Sequence, residues 1–339
     1  MSILLTADFH LDDNPSAEYR WKIFDLIKDI YKDTPFHSLY ILGDLTNRKN
    51  NHDAKLVERL VSSFEDLAFF MNEVIILKGN HDYTDEDSPF FLFLSRFNNI
   101  EYISKENRCD RFSEQWLPNT KNFNYTLDEN AKYIFMHQSL MGSKVGNTFL
   151  KSGLDSRMFD SIKTKTIFSG DIHYGQEFGN VTYVGAPYHI NFGDAYEGRL
   201  LLINDTGEIE ELKTDKIFPS KLKLDINGEE LMEMKSFMNI LTIPRIKTGD
   251  FIKTVIHVNK NDTYKWDDFK KKIKEISLND GLILSSSELK LVESNNIMEQ
   301  TIATIKNEVD EKEIVKKFFE KENLDNFYLE CAKEVMDDT

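Results

Sequence analysis

Seven short apolar runs, each stopped by a glycine or a polar residue, constrain the fold of this chain most. "SILLTA", "SLYILG", "EVIILKG", "KYIFMH", "KTIFSG", "VTYVGA" and "RLLLIND" all fall within the first 205 residues. They are too short for buried helices and several are β-branched, so the pattern predicts buried strands. Between the first two, "SAEYRWKIFDLIKDIYKD" places Trp21, Phe24, Ile27 and Tyr31 at helical spacing behind Ser16, which can serve as an N-cap. "DAKLVERLVSSFEDLAFF" repeats the pattern with Leu56, Leu60, Phe64 and Leu67. This strand–helix–strand rhythm predicts an α/β sandwich on a largely parallel or mixed sheet.

Near residue 215 the character changes. "GDFIKTVIHV", "WDDFKKKIKEI" and "LILSSSELKLVES" predict a small α+β unit, residues 216–294. The charged stretch beyond it reads as helical, with Ile314, Phe318 and Phe319 as apolar positions, and gives a third segment, 295–339. The first segment is then 1–215.

The residues just past five of the strands are more informative than the strands themselves. "LLTADFH" ends in Asp8 and His10, "YILGDLTN" supplies Asp44, and "IILKGNHD" supplies Asn80, His81 and Asp82. "IFMHQS" supplies His137, and "IFSGDIH" supplies Asp171 and His173. In open α/β sheets ligands gather at the carboxyl ends of the strands, so residues far apart in sequence can meet at one edge. Carboxylate, imidazole and amide oxygen together suit a pair of divalent cations, with one carboxylate able to bridge them. Taken singly, each residue has a plainer use. Asp44 can cap a turn, and His137 can be a satisfied core histidine. It is the conjunction of five strand ends in order that points to metal chemistry.

Composition narrows the substrate. The formal net charge is −16, which argues against gripping nucleic acid by electrostatics alone, because phosphate neutralisation needs Lys and Arg. A nucleic-acid function would need a local basic surface, a metal site or a partner. No apolar run approaches the ~18 residues of a membrane span. The start, "MSILLTADFH", is cut by Asp8 and reads as a strand and not a signal peptide. Cys109 and Cys331 are widely separated and fit free thiols in a reducing compartment, so a cytoplasmic location is expected.

The strand-end residues resemble the signature of the calcineurin-like metallophosphoesterases: Asp8 and His10, Gly43 and Asp44, Gly79 to Asp82, His137, and Gly170 to His173. Within them the chain is similar to the SbcD-type DNA-repair nucleases, through the loop "VGAPYHINFGD" and the terminal "DEKEIVKKFFEKENLD". The resemblance implies a two-sheet β-sandwich flanked by helices, with a small α+β capping domain and a helical C-terminal tail. It implies one ion held by Asp8, His10, His173 and a bridging Asp44, and a second held by Asp44, Asn80, His137 and Asp171. His81 would protonate the leaving alkoxide and Asp82 would orient it. His189 and His52 are weaker candidates for substrate contact, since both lie in loops that could approach a phosphate. The implied activity is hydrolysis of DNA phosphodiester bonds, by an exonuclease with or without endonuclease action. It would work as a homodimer with an SbcC-type coiled-coil ATPase on which the tail docks.

One position departs from the pattern, which has histidine where this chain has Asp171. Three carboxylates would then face two cations, moving the preference toward Mn²⁺ or Mg²⁺ over Zn²⁺. Two other readings stay open. One is a phosphatase or phosphodiesterase for a small molecule or phosphoprotein, which the missing basic patch favours. The other is an interaction scaffold with a decayed site, which a donor at every ligand position disfavours.

Overall fold

The computed structural model describes residues 2–109, 113–146, 148–162, 167–194, 196–240 and 246–292. The expected tail, 295–339, lies outside the described residues, as does Cys331. The strands run in chain order as β1 (Ile3–Thr6), β2 (Ser38–Leu42), β3 (Glu73–Leu77), β4 (Ile100–Ile103), β5 (Asn107–Cys109), β6 (Glu114–Leu117) and β7 (Tyr133–His137). A small hairpin comes next, β8 (Lys144–Val145) and β9 (Thr148–Phe149), then β10 (Ile167–Gly170), β11 (Gln176–Phe178), β12 (Val181–Tyr183), β13 (Arg199–Ile203) and β14 (Ile209–Lys213). The last three are β15 (Lys221–Asn227), β16 (Phe251–Asn259) and β17 (Ile283–Val292). The α-helices are α1 (Lys22–Asp33), α2 (Ala54–Phe70), α3 (Gly228–Glu233) and α4 (Trp266–Asn279). Met1–His257 and Lys265–Lys290 form one compact unit, which holds all the polar strand ends. Among the described residues no helix is long and apolar enough to cross a membrane.

The expected α/β sandwich is present as two mixed six-stranded sheets. The first has the order β14-β13-β1-β2-β3-β4 and the second β11-β12-β10-β7-β6-β5. β1 to β4 are mutually parallel, as are β6, β7, β10 and β12. Alternation along each strand sorts the core into layers. Ile3, Leu5, Tyr40, Leu42, Ile75 and Leu77 join Trp116, Phe135 and Phe168 in one apolar cluster. Leu4, Leu39, Ile41, Val74 and Ile76 join Phe24, Ile27, Leu56, Leu60, Phe64 and Leu67 of α1 and α2 in another.

Local chemistry modifies one sequence expectation. Pro15 opens a 3₁₀ segment, Pro15–Trp21, before α1 begins. The cap is Asn14, whose side chain accepts from the Ser16 amide, so Ser16 is the capped residue and not the cap. Proline at the first position has no N–H to satisfy, which moves the cap one residue upstream of it. The stretch "SPFFLFLSRF" contributes a second 3₁₀ segment, Phe90–Arg96, with Phe91 and Leu94 buried in the core.

Between the sheets the Tyr40 hydroxyl donates to Glu114 Oε1 at 3.0 Å. Burial pushes the Glu114 carboxyl up to about 7 from an ordinary 4.5. Between those values the folded chain keeps a proton that the unfolded chain has released, so stability falls as pH rises through this window and is flat above it. Glu114→Gln keeps an acceptor for Tyr40 and removes the titration. It is therefore expected to be more stable than the parent at pH 8, on the order of 2–3 kcal/mol, and equal to it near pH 4.5. Urea midpoints of both proteins across this range check it; parallel pH profiles would reject the assignment.

Candidate metal centre

Parallel register brings the polar strand ends to one edge. Thr6 pairs with Ile41 and Leu42 with Leu77 in the first sheet, and His137 pairs with Gly170 in the second. The chain past β1 then runs beside the chain past β2, with the Asp8 amide donating to Gly43 O at 3.1 Å and the His10 amide to Asp44 O at 2.9 Å. Asp8, His10, Asp44 and Asp171 all have left-handed backbone, with φ of 57°, 44°, 57° and 76°. Such residues cost about 1–3 kcal/mol each and persist where the surroundings over-determine them. Gly43 (φ +84°) is required for a second reason: a Cβ there would lie 2.3 Å from His137 Nδ1 and 2.7 Å from Gly79 Cα.

The side chains converge. Ligand-competent atoms of Asp8, His10 and His173 lie within 4.8 Å of one another, and so do those of Asp8, Asp44 and His137. His10 Nε2 and His173 Nε2 face each other at 3.0 Å. Asp44 stands between the two groups, with Oδ2 3.5 Å from His10 Nε2 and Oδ1 3.4 Å from His137 Nε2. One carboxylate thus offers an oxygen to each side, the arrangement a bridging ligand needs. Asp171 Oδ1 is 3.7 Å from His137 Nε2, which places it on the His137 side, and its amide donates to Asp8 Oδ1 at 3.2 Å.

Tautomers and fields favour cation binding. His137 Nδ1 lies 2.6 Å from Leu42 O; a carbonyl only accepts, so Nδ1 carries a proton and Nε2 is the nitrogen turned to the site, with a lone pair there once a cation displaces its own proton. Burial holds His10 and His173 below the usual histidine range, hence neutral. Burial would depress His137 too, but the Asp44, Asp8 and Asp171 carboxylates hold it well above that range. Asp44 is lowered, burial being outweighed by His137 and His10, while burial raises Asp8 and Asp171. Asp8 Oδ2, Asn80 Oδ1 and His137 Nε2 are buried without a hydrogen-bond partner among the described residues. Buried unsatisfied acceptors cost about 1–3 kcal/mol each. A divalent cation is the ligand that would satisfy all three, so the donor set fits metal.

The two expected catalytic residues fare differently. His81 stands beside His10, ring centroids 4.7 Å apart, with Nδ1 2.8 Å from Asn47 O. One of its ring nitrogens lies within 4.8 Å of ligand atoms of His10 and Asp44, a proximity that sequence reasoning missed. Asp82 does not orient it. Asp82 is buried and accepts from the amides of Asp44, Leu45 and Gly79 at 3.1, 3.0 and 2.7 Å, so it shapes the backbone under Asp44. The Asn47 carbonyl takes the orienting role instead. Asn47 is itself held by Asp12, whose Oδ2 accepts from Asn47 Nδ2 at 3.0 Å.

The two weaker candidates are tied up locally. His189 Nε2 donates to Tyr196 O at 2.6 Å and Nδ1 accepts from the Lys221 amide at 3.1 Å, so both ring nitrogens are taken by main chain. His52 Nε2 pairs with Thr46 Oγ1 at 2.9 Å, and its ring stacks on Phe90 at 4.1 Å.

The family model for calcineurin-like phosphoesterases matches residues 1–175, a span that holds all of the strand-end residues from Asp8 to His173. Among solved structures, the phosphoesterase Yfce from E. coli is similar at 12% identity and a TM-score of 0.31, over 63% of this chain and 100% of that one. The Pseudomonas putida nuclease MPE is similar at 15% identity and a TM-score of 0.33, over 62% of this chain and 87% of that one. No curated protein matches the sequence.

Proposed function

This chain belongs to the calcineurin-like phosphoesterase family, and from that premise we propose that it is a dimetal phosphodiesterase that cuts DNA, an exonuclease with or without endonuclease action. Metal-dependent phosphoester hydrolysis is the family's chemistry. The observation that carries the dimetal reading is Asp44, which turns one oxygen to His10 and the other to His137. Asp8, His10, His173 and Asp44 would hold one ion. Asp44, Asn80, His137 and Asp171 would hold the other, with Mn²⁺ preferred over Mg²⁺. Two such cations supply Lewis acidity toward a phosphodiester oxygen and a water acidic enough to attack at neutral pH. The chain's own residues do the rest. With Nδ1–H held by Asn47 O, the doubly protonated His81 ring would give its Nε2 proton to the leaving alkoxide. Asp82 keeps the Asp44 turn in place through three amides.

Support for DNA comes from the loop "VGAPYHINFGD" and the C-terminal sequence. That loop is bonded to the first strand of the small unit, residues 216–294, which we take as the cap: the Lys221 amide donates to His189 and the Gly193 amide to Lys221 O. An acidic nuclease needs help to hold a polyanion. A homodimer bound to a coiled-coil ATPase in the cytoplasm, in DNA repair or recombination, would supply it. The acidic surface favours a second reading, a phosphatase for a small molecule or phosphoprotein.

The test is to incubate pure protein and Mn²⁺ with end-labelled duplex and single-stranded DNA, beside a phosphate monoester and a simple diester. Shortening of the DNA, stopped by a chelator, is the expected result. Monoester turnover with intact DNA would reject the nuclease in favour of the phosphatase.

A further inference from the structure

We propose that Arg20 is the positioning residue for His10, holding by its main chain a metal ligand whose second ring nitrogen has no anchor among the described residues; the assignment rests on the dimetal reading of the site. His137 shows the usual arrangement, with one ring nitrogen turned to the site and the other anchored on a carbonyl, Leu42 O. His10 lacks that anchor. Its Nε2 faces His173 and Asp44, while Nδ1 is buried without a partner among the described residues. The direction of the His10 ring therefore depends on its backbone, which is left-handed at φ 44°.

Arg20 secures that backbone. It is 4% exposed, and its two terminal nitrogens donate to main-chain carbonyls, Nη1 to His10 O at 2.5 Å and Nη2 to Ile190 O at 3.0 Å. The same 184–194 loop holds the other imidazole of this group, since the Ala186 amide donates to His173 O at 3.0 Å. Arg20 thus ties the segment that carries His10 to the loop that hydrogen-bonds the His173 main chain, and the Nε2 atoms of the two histidines meet. Among the described residues no comparable bond links it to His137, Asn80 or Asp171. Lys221 Nζ also reaches Ile190 O, at 3.2 Å, but does not reach His10, and so provides a control for effects on the loop alone.

The test is a Mn²⁺ titration of the full chain by calorimetry, for the parent, Arg20→Gln, Arg20→Lys, Lys221→Met and His10→Ala. Loss of a group that orients a metal ligand typically weakens the metal 10–100-fold. Arg20→Gln is expected to weaken one of two ions by that factor, the ion that His10→Ala removes, and to leave the other within about twofold. Arg20→Lys, able to reach one carbonyl, should recover part of the loss, and Lys221→Met should lose none. Equal weakening of both ions, an unchanged Arg20→Gln, or a Lys221→Met that matches it would each overturn the proposal. If Arg20→Gln does not fold, Arg20→Lys decides: selective weakening of the His10 ion supports the role and two unchanged ions reject it. A parent that binds no pair of ions would remove the dimetal reading and this role with it. A parent with two ions and an indifferent Arg20 would remove this role alone.

Discussion

His81→Ala is expected to lower phosphodiester turnover by ~10²–10⁴-fold while both metal ions stay bound. The expectation comes from where the imidazole is held. Its Nδ1 is spent on Asn47 O, so only Nε2 can meet a leaving oxygen, and alanine removes the proton source without touching the Asp44 bridge. A substrate with a good leaving group needs no acid, so a diester of an acidic phenol should recover most of the lost rate in the variant. The proximity of His81 to His10 and Asp44 gives the contrary outcome a definite form. If the substitution lowers the metal stoichiometry, and the activated diester is lost together with DNA, then His81 is a ligand and not the acid.

Asp44→Ala is expected to have a still broader effect, taking the bound metal from two ions to none and activity down by at least ~10³-fold. Both imidazole groups face its oxygens, and no other carboxylate described lies so near both His10 and His137. Asp171→Ala provides the contrast. Its carboxylate reaches the His137 side alone, so equilibrium dialysis should find one ion where the parent has two. Two ions retained by Asp171→Ala would mean that the aspartate only shapes the turn. Retention of metal by Asp44→Ala would undo the bridging arrangement itself.

The fold and the site were not equally legible. The strands could be read because short β-branched runs ending in glycine have few alternatives, and parallel pairing then sends their ends to one edge. Asp8, His10, Asp44, His137 and His173 could be read for the same reason, since polar residues just past buried strands have no packing use. The groups that support them could not. Arg20 sits inside an amphipathic stretch, where an arginine ordinarily faces water, and its burial depends on a loop 170 positions away. Asp82 was expected to orient His81, yet three amides from two turns claim its carboxylate. The left-handed backbone of four site residues carries no clear mark either, because aspartate and histidine adopt it more often than most residues yet only in a minority of their positions.

That backbone bears on how such a centre survives over generations. At Asp8, His10, Asp44 and Asp171 glycine would sit in the same conformation at ease, so the changes that destroy the ligands are among those that relieve the chain. A lineage released from the need to hydrolyse phosphoesters would find drift running downhill at these positions. Ligation and backbone ease are thus opposed at each of these four positions.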